Sequence, residues 1–258
     1  MRRFPNAGWV AATLVCITAA CSDSEPMSPA GATGGAVTLS ISTGSPTAPA
    51  PAPGFFSVVY GDGSNTLEMS SVRLVVREIE LERQSDESCD THVEGVDDTC
   101  ESFKTGPVLV DFPTGATAEA FVTITGVPAG VYDEVEFNIH KPSSGLPDDA
   151  PFLQAHPDYA EISIRVEGQY NGTAFTYESD LMDNQEIQLT PALDIADGAP
   201  ATNVTLRLDI GTWFRAADGS LVDPDSANKG GENESIVANN IKASIDAFED
   251  RDRDGTED

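Results

Sequence analysis

From residue 55 onward the apolar positions recur with a period of two. Val131, Asp133, Val135, Phe137 and Ile139 fall on one face, and Tyr132, Glu134, Glu136, Asn138 and His140 on the other. Ile162, Ile164 and Val166 alternate with Ser163, Arg165 and Glu167, and Val204, Leu206, Leu208 and Ile210 alternate with Thr205, Arg207 and Asp209. Successive side chains of a strand point to opposite faces, so this pattern predicts half-buried antiparallel strands. Val135, Phe137, Ile139, Leu206 and Leu208 are the expected core. Residues 36–42 alternate in the same way and predict a first strand. Turn signals separate the runs: Gly61-Asp62-Gly63, Pro128-Ala129-Gly130, Asn171-Gly172 and Asp218-Gly219. Asn-Gly between 162–170 and 173–177 is a hairpin signal, because a tight type I′ turn needs two residues at positive φ.

Two stretches depart from simple alternation. In 72–83, Val72, Leu74 and Val76 keep one phase, while Ile79 and Leu81 keep the opposite one. One extra residue near Arg77-Glu78, a β-bulge, reconciles the phases, and the valine content favours strand over helix. At the C-terminus Ile236, Val237, Ile241, Ile245 and Phe248 fall at helical spacing, which predicts a helix over 235–249. The expected architecture is therefore an all-β antiparallel sandwich over residues 36–233, followed by one C-terminal helix, 234–249, and an acidic tail, 250–258. A proline-rich loop at 43–54 and an acidic insertion at 84–102 interrupt the strands.

Charge narrows the partners. The chain has 258 residues with 43 acidic and 14 basic side chains, a net charge of −29. Nucleic-acid binding needs a basic face, so that class is excluded as a partner. With 40% hydrophobic residues the chain still carries enough apolar surface for a core.

The N-terminus gives an address. Arg2 and Arg3 precede an apolar run over 8–20, which ends in Ala19-Ala20-Cys21 and turns polar at Ser22-Asp23. A charged start, a short apolar stretch and small residues before a cut describe a secretory signal, here residues 1–20. With the cysteine placed directly after two alanines, it resembles a bacterial lipoprotein signal. That resemblance implies diacylation of the Cys21 thiol, cleavage before it and acylation of the new amine. Ser22 in place of Asp implies the outer membrane in a host that has one. Acyl chains contribute ~0.8 kcal/mol per buried CH₂, which makes such anchoring effectively permanent. Residues 21–35 are then a flexible tether. Cleavage removes two arginines and no acid, taking the net charge from −29 to −31. The membrane is thus a partner through the lipid alone, since the body repels anionic surfaces.

In such an exported chain Cys16 leaves with the signal, Cys21 carries lipid, and Cys89 and Cys100 remain. A disulfide between the last two is the default. Zinc held by the same pair with His92 is the alternative, with a fourth ligand unnamed.

Gly61-Asp62-Gly63 followed by 67–81, then 106–112, then the Pro128-Ala129-Gly130-Val131-Tyr132 turn leading into Phe137, together carry a wider likeness. Over roughly 60–215 the chain resembles a family of bacterial exported lipoproteins with a transthyretin-like (prealbumin-like) β-sandwich. The likeness implies that fold and compartment, and no activity. The insertion at 84–102 departs from the family pattern.

Candidate chemistry is sparse. Asp250-x-Asp252-x-Asp254-Gly255 is the first half of a calcium loop, with carboxylates at positions 1, 3 and 5 and the turn glycine at 6. The glutamate expected at position 12 lies past the last residue given, Asp258. Calcium is thus the one cofactor suggested, and a charged solvated tail is the competing reading. Trp213-Phe214 closes a strand and either lines a ligand groove, as in carbohydrate-binding sandwiches, or plugs the core. Asp218, Asp223 and Asp225 beside it suit calcium-assisted sugar contact. Glu134, Glu136 and His140 on one strand face are a further metal candidate, although His140 and His156 read first as ordinary surface residues. No Gly-x-Ser-x-Gly or His-Glu-x-x-His motif is present. The expectation is a non-enzymatic, lipid-anchored envelope protein acting in binding, adhesion or assembly, with a glycan or envelope protein as partner. The alternatives are a carbohydrate-active or other hydrolase, and a calcium-dependent docking protein.

Overall fold

A computed structural model describes residues 35–43, 57–84, 106–112, 118–196 and 200–252. All lie in one structural unit, Thr33–Asp258. The proposed signal, Cys21, the proline-rich loop from residue 44, Cys89, His92, Cys100 and Asp254 lie outside the described residues.

The first strands are β1 (Gly35–Ser42), β2 (Val58–Gly61), β3 (Thr66–Arg83), β4 (Val108–Asp111), β5 (Glu119–Val127) and β6 (Gly130–Ile139). A short helix α1 (Ala150–Ala155) follows, then β7 (Ile164–Tyr170), β8 (Thr173–Ser179), β9 (Asp183–Ile195) and β10 (Thr202–Leu208). Helix α2 (Glu234–Lys242) and β11 (Ile245–Glu249) end the described chain. One sheet has the order β11-β10-β1-β5, and the other, seven-stranded, is built around β3. The fold is the expected all-β sandwich. Pairing is antiparallel throughout except between β1 and β10, which run parallel.

β3 organises the larger sheet. Its first half pairs with β7, from Leu67↔Tyr170 to Leu74↔Ile164. Its second half pairs with β6, from Val76↔Ile139 to Arg83↔Tyr132. The change of partner takes two residues and opens a fork, into which the chain from 140 to 163 is folded. Just past the fork the register slips by one between Arg77 and Glu80, with Glu78 at φ +52°. This is the expected bulge. Val72, Leu74 and Val76 before it, and Ile79 and Leu81 after it, all reach the same core.

Val75 points the other way. It forms a small second cluster with Phe152 and Tyr159, backed by Leu109, Leu153 and Ile162. That cluster seats α1 on the outer face of β3, a role that no strand-period reading supplies. The hairpin β7–β8 turns at Asn171 and Gly172, both at positive φ. Gly168 is required on close-approach grounds, since a Cβ there would lie 1.9 Å from the Glu68 carbonyl.

Two expectations are corrected. The face assigned to 131–139 holds only from Val135 onward. Tyr132 is buried and Val131 is 38% exposed, because β6 carries an extra residue against β3 between Glu134 and Tyr132. The predicted helix over 234–249 stops at Lys242. There the Ala243 N–H bonds the Asn239 and Ile241 carbonyls, and the Ser244 hydroxyl donates to the Ile241 carbonyl. The chain then pairs with the free edge of β10, from Leu208↔Ile245 to Val204↔Glu249. Ile245 and Phe248 sit at helical spacing by coincidence. In the strand Ala247 and Phe248 bury on opposite faces, with Phe248 beneath the Arg207 guanidinium at 4.9 Å.

Candidate binding cleft

At the fork and bulge of β3 a cleft of about 480 Å³ opens to solvent. β3 contributes Arg77 and Glu78, the end of β6 Asn138, Ile139 and His140, and the following loop Leu146. Met182, Asp183 and Asn184, at the start of β9, form the opposite wall. Its volume lies within the range of small-ligand sites.

The floor of this cleft is a buried polar cluster. His140 leaves β6 with its backbone N–H on the Val75 carbonyl, which turns its ring inward. Nε2 lies 2.9 and 3.0 Å from the two carboxylate oxygens of Asp149. Asp149 is fully buried, accepts the Ser143 backbone N–H at 2.8 Å, and lies 3.7 Å from Arg77 Nη1. A carboxylate accepts, so the Nε2 that faces it carries a hydrogen. Nδ1 makes no hydrogen bond among the described residues, and none of their hydroxyls or thiols bonds to the ring. Arg77 is further held by Glu78 at 3.1 Å and Asp148 at 3.7 Å, and Asn138 donates to Glu78 at 3.0 Å. The floor is thus set by cross-linked charges, whereas the rim is apolar: Met182 is 58% and Leu146 42% exposed.

The outer face of β3, β6 and β9 runs away from the cleft as a polar grid. Arg77, Asn138 and Asn184 form its first row, Glu80, Glu136 and Glu186 the second, and Glu82, Glu134 and Gln188 the third. Like charges directly across strands repel. Burial, and then Glu82, Glu186, Glu136 and Asp133, push the Glu134 carboxyl above its ordinary range. Asn184 relieves part of this by donating to Glu136 and Glu186, and Gln188 donates to Glu134. Carboxylate oxygens of Glu82, Glu134 and Glu136 lie within 4.8 Å of one another.

The other candidates fall differently from expectation. His140 does not join Glu134 and Glu136; it is 4% exposed and faces Asp149, while Glu82 takes its place beside the two glutamates. His156 packs on Phe152 at 4.9 Å and edge-on to Tyr159. Trp213 and Phe214 are both fully enclosed. The Trp213 indole N–H donates to Ser244 at 2.7 Å, and Phe214 stands edge-on to Phe175 and Tyr177. They plug the core and offer no face to a ligand. Asp218 and Asp223 near them accept the Ser220 and Asp225 backbone N–H groups and so build turns. Asp250 is fully buried, and its carboxylate accepts the Thr205 hydroxyl at 2.8 Å. Asp252 is exposed. Among the described residues no helix is long and apolar enough to cross a membrane.

Sequence reasoning missed the cleft because it depends on a contact between a strand end and a loop nine residues later. The available signal was Asp149 among Pro142, Pro147 and Pro151, a loop stiff enough to present one carboxylate back to the strand that precedes it. Comparison of the chain with protein families, with curated proteins and with solved structures found no match.

Proposed function

We propose that this chain is a lipid-anchored, non-enzymatic protein of the bacterial envelope that binds a partner or small ligand at the β3 cleft. The observation carrying the binding reading is the cleft itself, where a buried His140–Asp149 pair and a left-handed Glu78 stand beneath an exposed apolar rim. Backbone strain and buried charge each cost free energy, and both concentrate at working sites. Binding is favoured over nucleophilic chemistry because no described hydroxyl or thiol is held by His140. The address rests on the residues that end in Ala19-Ala20-Cys21 and on the likeness to exported transthyretin-like lipoproteins.

The test is a screen of the processed protein against glycan and peptide arrays, with and without calcium. Met182→Lys narrows and charges the rim without touching the core. A hit lost in that variant supports the reading, and a hit that survives it puts binding elsewhere. Turnover of an array compound would overturn the non-enzymatic assignment. Cys21→Ser tests the anchor: the variant is expected to leave the detergent phase, and partitioning equal to wild type would sink the lipid claim.

A further inference from the structure

We propose that Met182 is a site of reversible oxidation by peroxide, and that its sulfoxide turns the mouth of the cleft from apolar to polar. The second half rests on the cleft being the binding site, as proposed above; the oxidation itself does not. Met182 lies in the link between β8 and β9, flanked by Leu181, which packs on the core, and by Asp183. It is 58% exposed and lines the cleft with Ile139 and the exposed Leu146. It belongs to neither hydrophobic cluster, so oxidising it leaves the core untouched. Met69 is its opposite: fully buried at the centre of the main core. An oxidant has to reach the thioether, and only Met182 of these two offers it.

The step is a two-electron oxidation. A sulfur lone pair attacks one peroxide oxygen, and an S–O bond forms as the O–O bond breaks. The other oxygen leaves as water, or as an alcohol when the oxidant is an organic hydroperoxide. The product is a polar, chiral side chain in place of a flexible apolar one. A thioether is a weak acceptor, whereas the sulfoxide oxygen is a strong one. Arg77, Asn138 and Asn184 line the same cleft and carry N–H groups, so the new acceptor finds donors there. An apolar guest loses the adaptable thioether surface opposite Leu146 and has to strip the new oxygen of its hydrogen bonds. Reduction by a dithiol reverses the step: two thiols become a disulfide and the oxygen leaves as water. Each sulfoxide epimer needs its own reductase, and the exposure of Met182 leaves it within reach of both. In the exported setting proposed for this chain, no cytosolic thiol pool shields the rim.

The test starts with hydrogen peroxide on the processed, lipidated protein, with Met69 and Met182 followed by peptide mapping and mass spectrometry. Met182 is expected to oxidise at a rate close to that of Nα-acetyl-methionine methylamide. Met69 should be at least about tenfold slower, because it reacts only when the core opens. The melting temperature should not change, and a mixture of the two sulfoxide reductases should return Met182 to the thioether in the folded protein. Protection of Met182 equal to that of Met69 would overturn the site. A sulfoxide that both reductases leave in place would overturn its reversibility. The change at the mouth is read with n-butanol as an apolar probe and the labelled methyl groups of Leu146 as the NMR reporter, assigned with Leu146→Val. Butanol is expected to move the Leu146 signals, and oxidation to weaken that binding about tenfold. Met182→Leu should bind butanol and be indifferent to peroxide. Butanol affinity unchanged after complete oxidation of Met182 would overturn the change of rim while leaving the cleft as a site. If butanol does not move Leu146 in the reduced protein, the change of rim and the cleft reading fall together, and the mass measurement alone decides the oxidation.

Discussion

Asp149 and Asp250 are both fully buried carboxylates, and they do different things. Asp250 follows β11 and accepts the Thr205 hydroxyl, while its backbone carbonyl takes the Asn203 amide at 2.8 Å. Asn203 in turn bonds Ser40 and Thr205. The chain of bonds runs from β1 through β10 to the end of β11. Asp149 sits in a loop and is held by His140, Ser143 and Arg77, of which His140 and Arg77 line an open cleft. Burial of a polar group therefore does not mark a site. What marks it is a buried network with side chains that open onto a cleft.

The severest way to break the comparison is to bury a carboxylate with no donors. Phe137 is 1% exposed in the main core, and burying such a side chain contributes about 1.5–3 kcal/mol. Phe137→Asp forfeits that and adds an unpaired charge, for a cost of several kcal/mol against a typical stability of about 5–15 kcal/mol. The variant is expected to be unfolded by circular dichroism. A β-sheet spectrum with a wild-type melting temperature would show that the core around residue 137 admits water.

Asp149→Ala comes next. It strips the acceptor from His140 Nε2 and from the Ser143 N–H, and removes one of three carboxylates from Arg77. Breaking a buried charge pair costs about 3–5 kcal/mol; because Arg77 keeps Glu78 and Asp148, about 3 kcal/mol is expected in urea denaturation. Asp149→Asn, which retains one acceptor, should cost less. Equal costs for the two substitutions would mean that charge is not what Asp149 supplies.

Tyr177, which is buried, and Tyr60, which is half-buried, sharpen the contrast from the other side. Burial pushes Tyr177 up to about 12, and burial with help from Asp209 does the same for Tyr60, against Arg215. Unfolded tyrosine ionises near ~10. The unfolded chain therefore loses these protons first, and stability present below pH ~10 is lost as pH rises toward 12. The expected loss is about 2 kcal/mol per group. Tyr177→Phe should remove its share of that pH dependence, and an unchanged alkaline slope in this variant would place the phenol in water.

Much of this was readable in the residues, for identifiable reasons. The flip of apolar phase between Val76 and Ile79 announces the β3 bulge because one buried face leaves a single register possible. Asn171-Gly172 announces its hairpin because few other pairs adopt two positive φ values. Val131-Tyr132 misled because both side chains are apolar, so the pattern could not show which one turned inward. The strand 245–249 misled because its existence depends on the open edge of β10, some forty residues earlier. The parallel pairing of β1 with β10, and the meeting of Arg77, His140 and Asp149 that makes the candidate site, are tertiary facts with no local periodicity.

Asp250 gives the mildest test, and it separates a clamp from a ligand. Read along the sequence, it is position 1 of a calcium loop; in the fold its carboxylate holds the Thr205 hydroxyl, which is fully buried. Withdrawing that acceptor leaves a buried donor unpaired, so Asp250→Ala should cost about 1 kcal/mol or slightly more. A cation recruiting Asp250 would have to break the same bond. With position 1 engaged, a tail relying on Asp252 and Asp254 should hold calcium no better than ~10⁻³ M, the weak end of extracellular modules. Calorimetry on wild type, Asp250→Asn and the pair Asp252→Ala with Asp254→Ala resolves the two roles. The clamp predicts that Asp250→Asn lowers stability and leaves calcium uptake as in wild type, and that the double variant does the reverse. Calcium uptake lost in Asp250→Asn with stability unchanged would make Asp250 a ligand after all, and would erase the distinction drawn between the two buried aspartates.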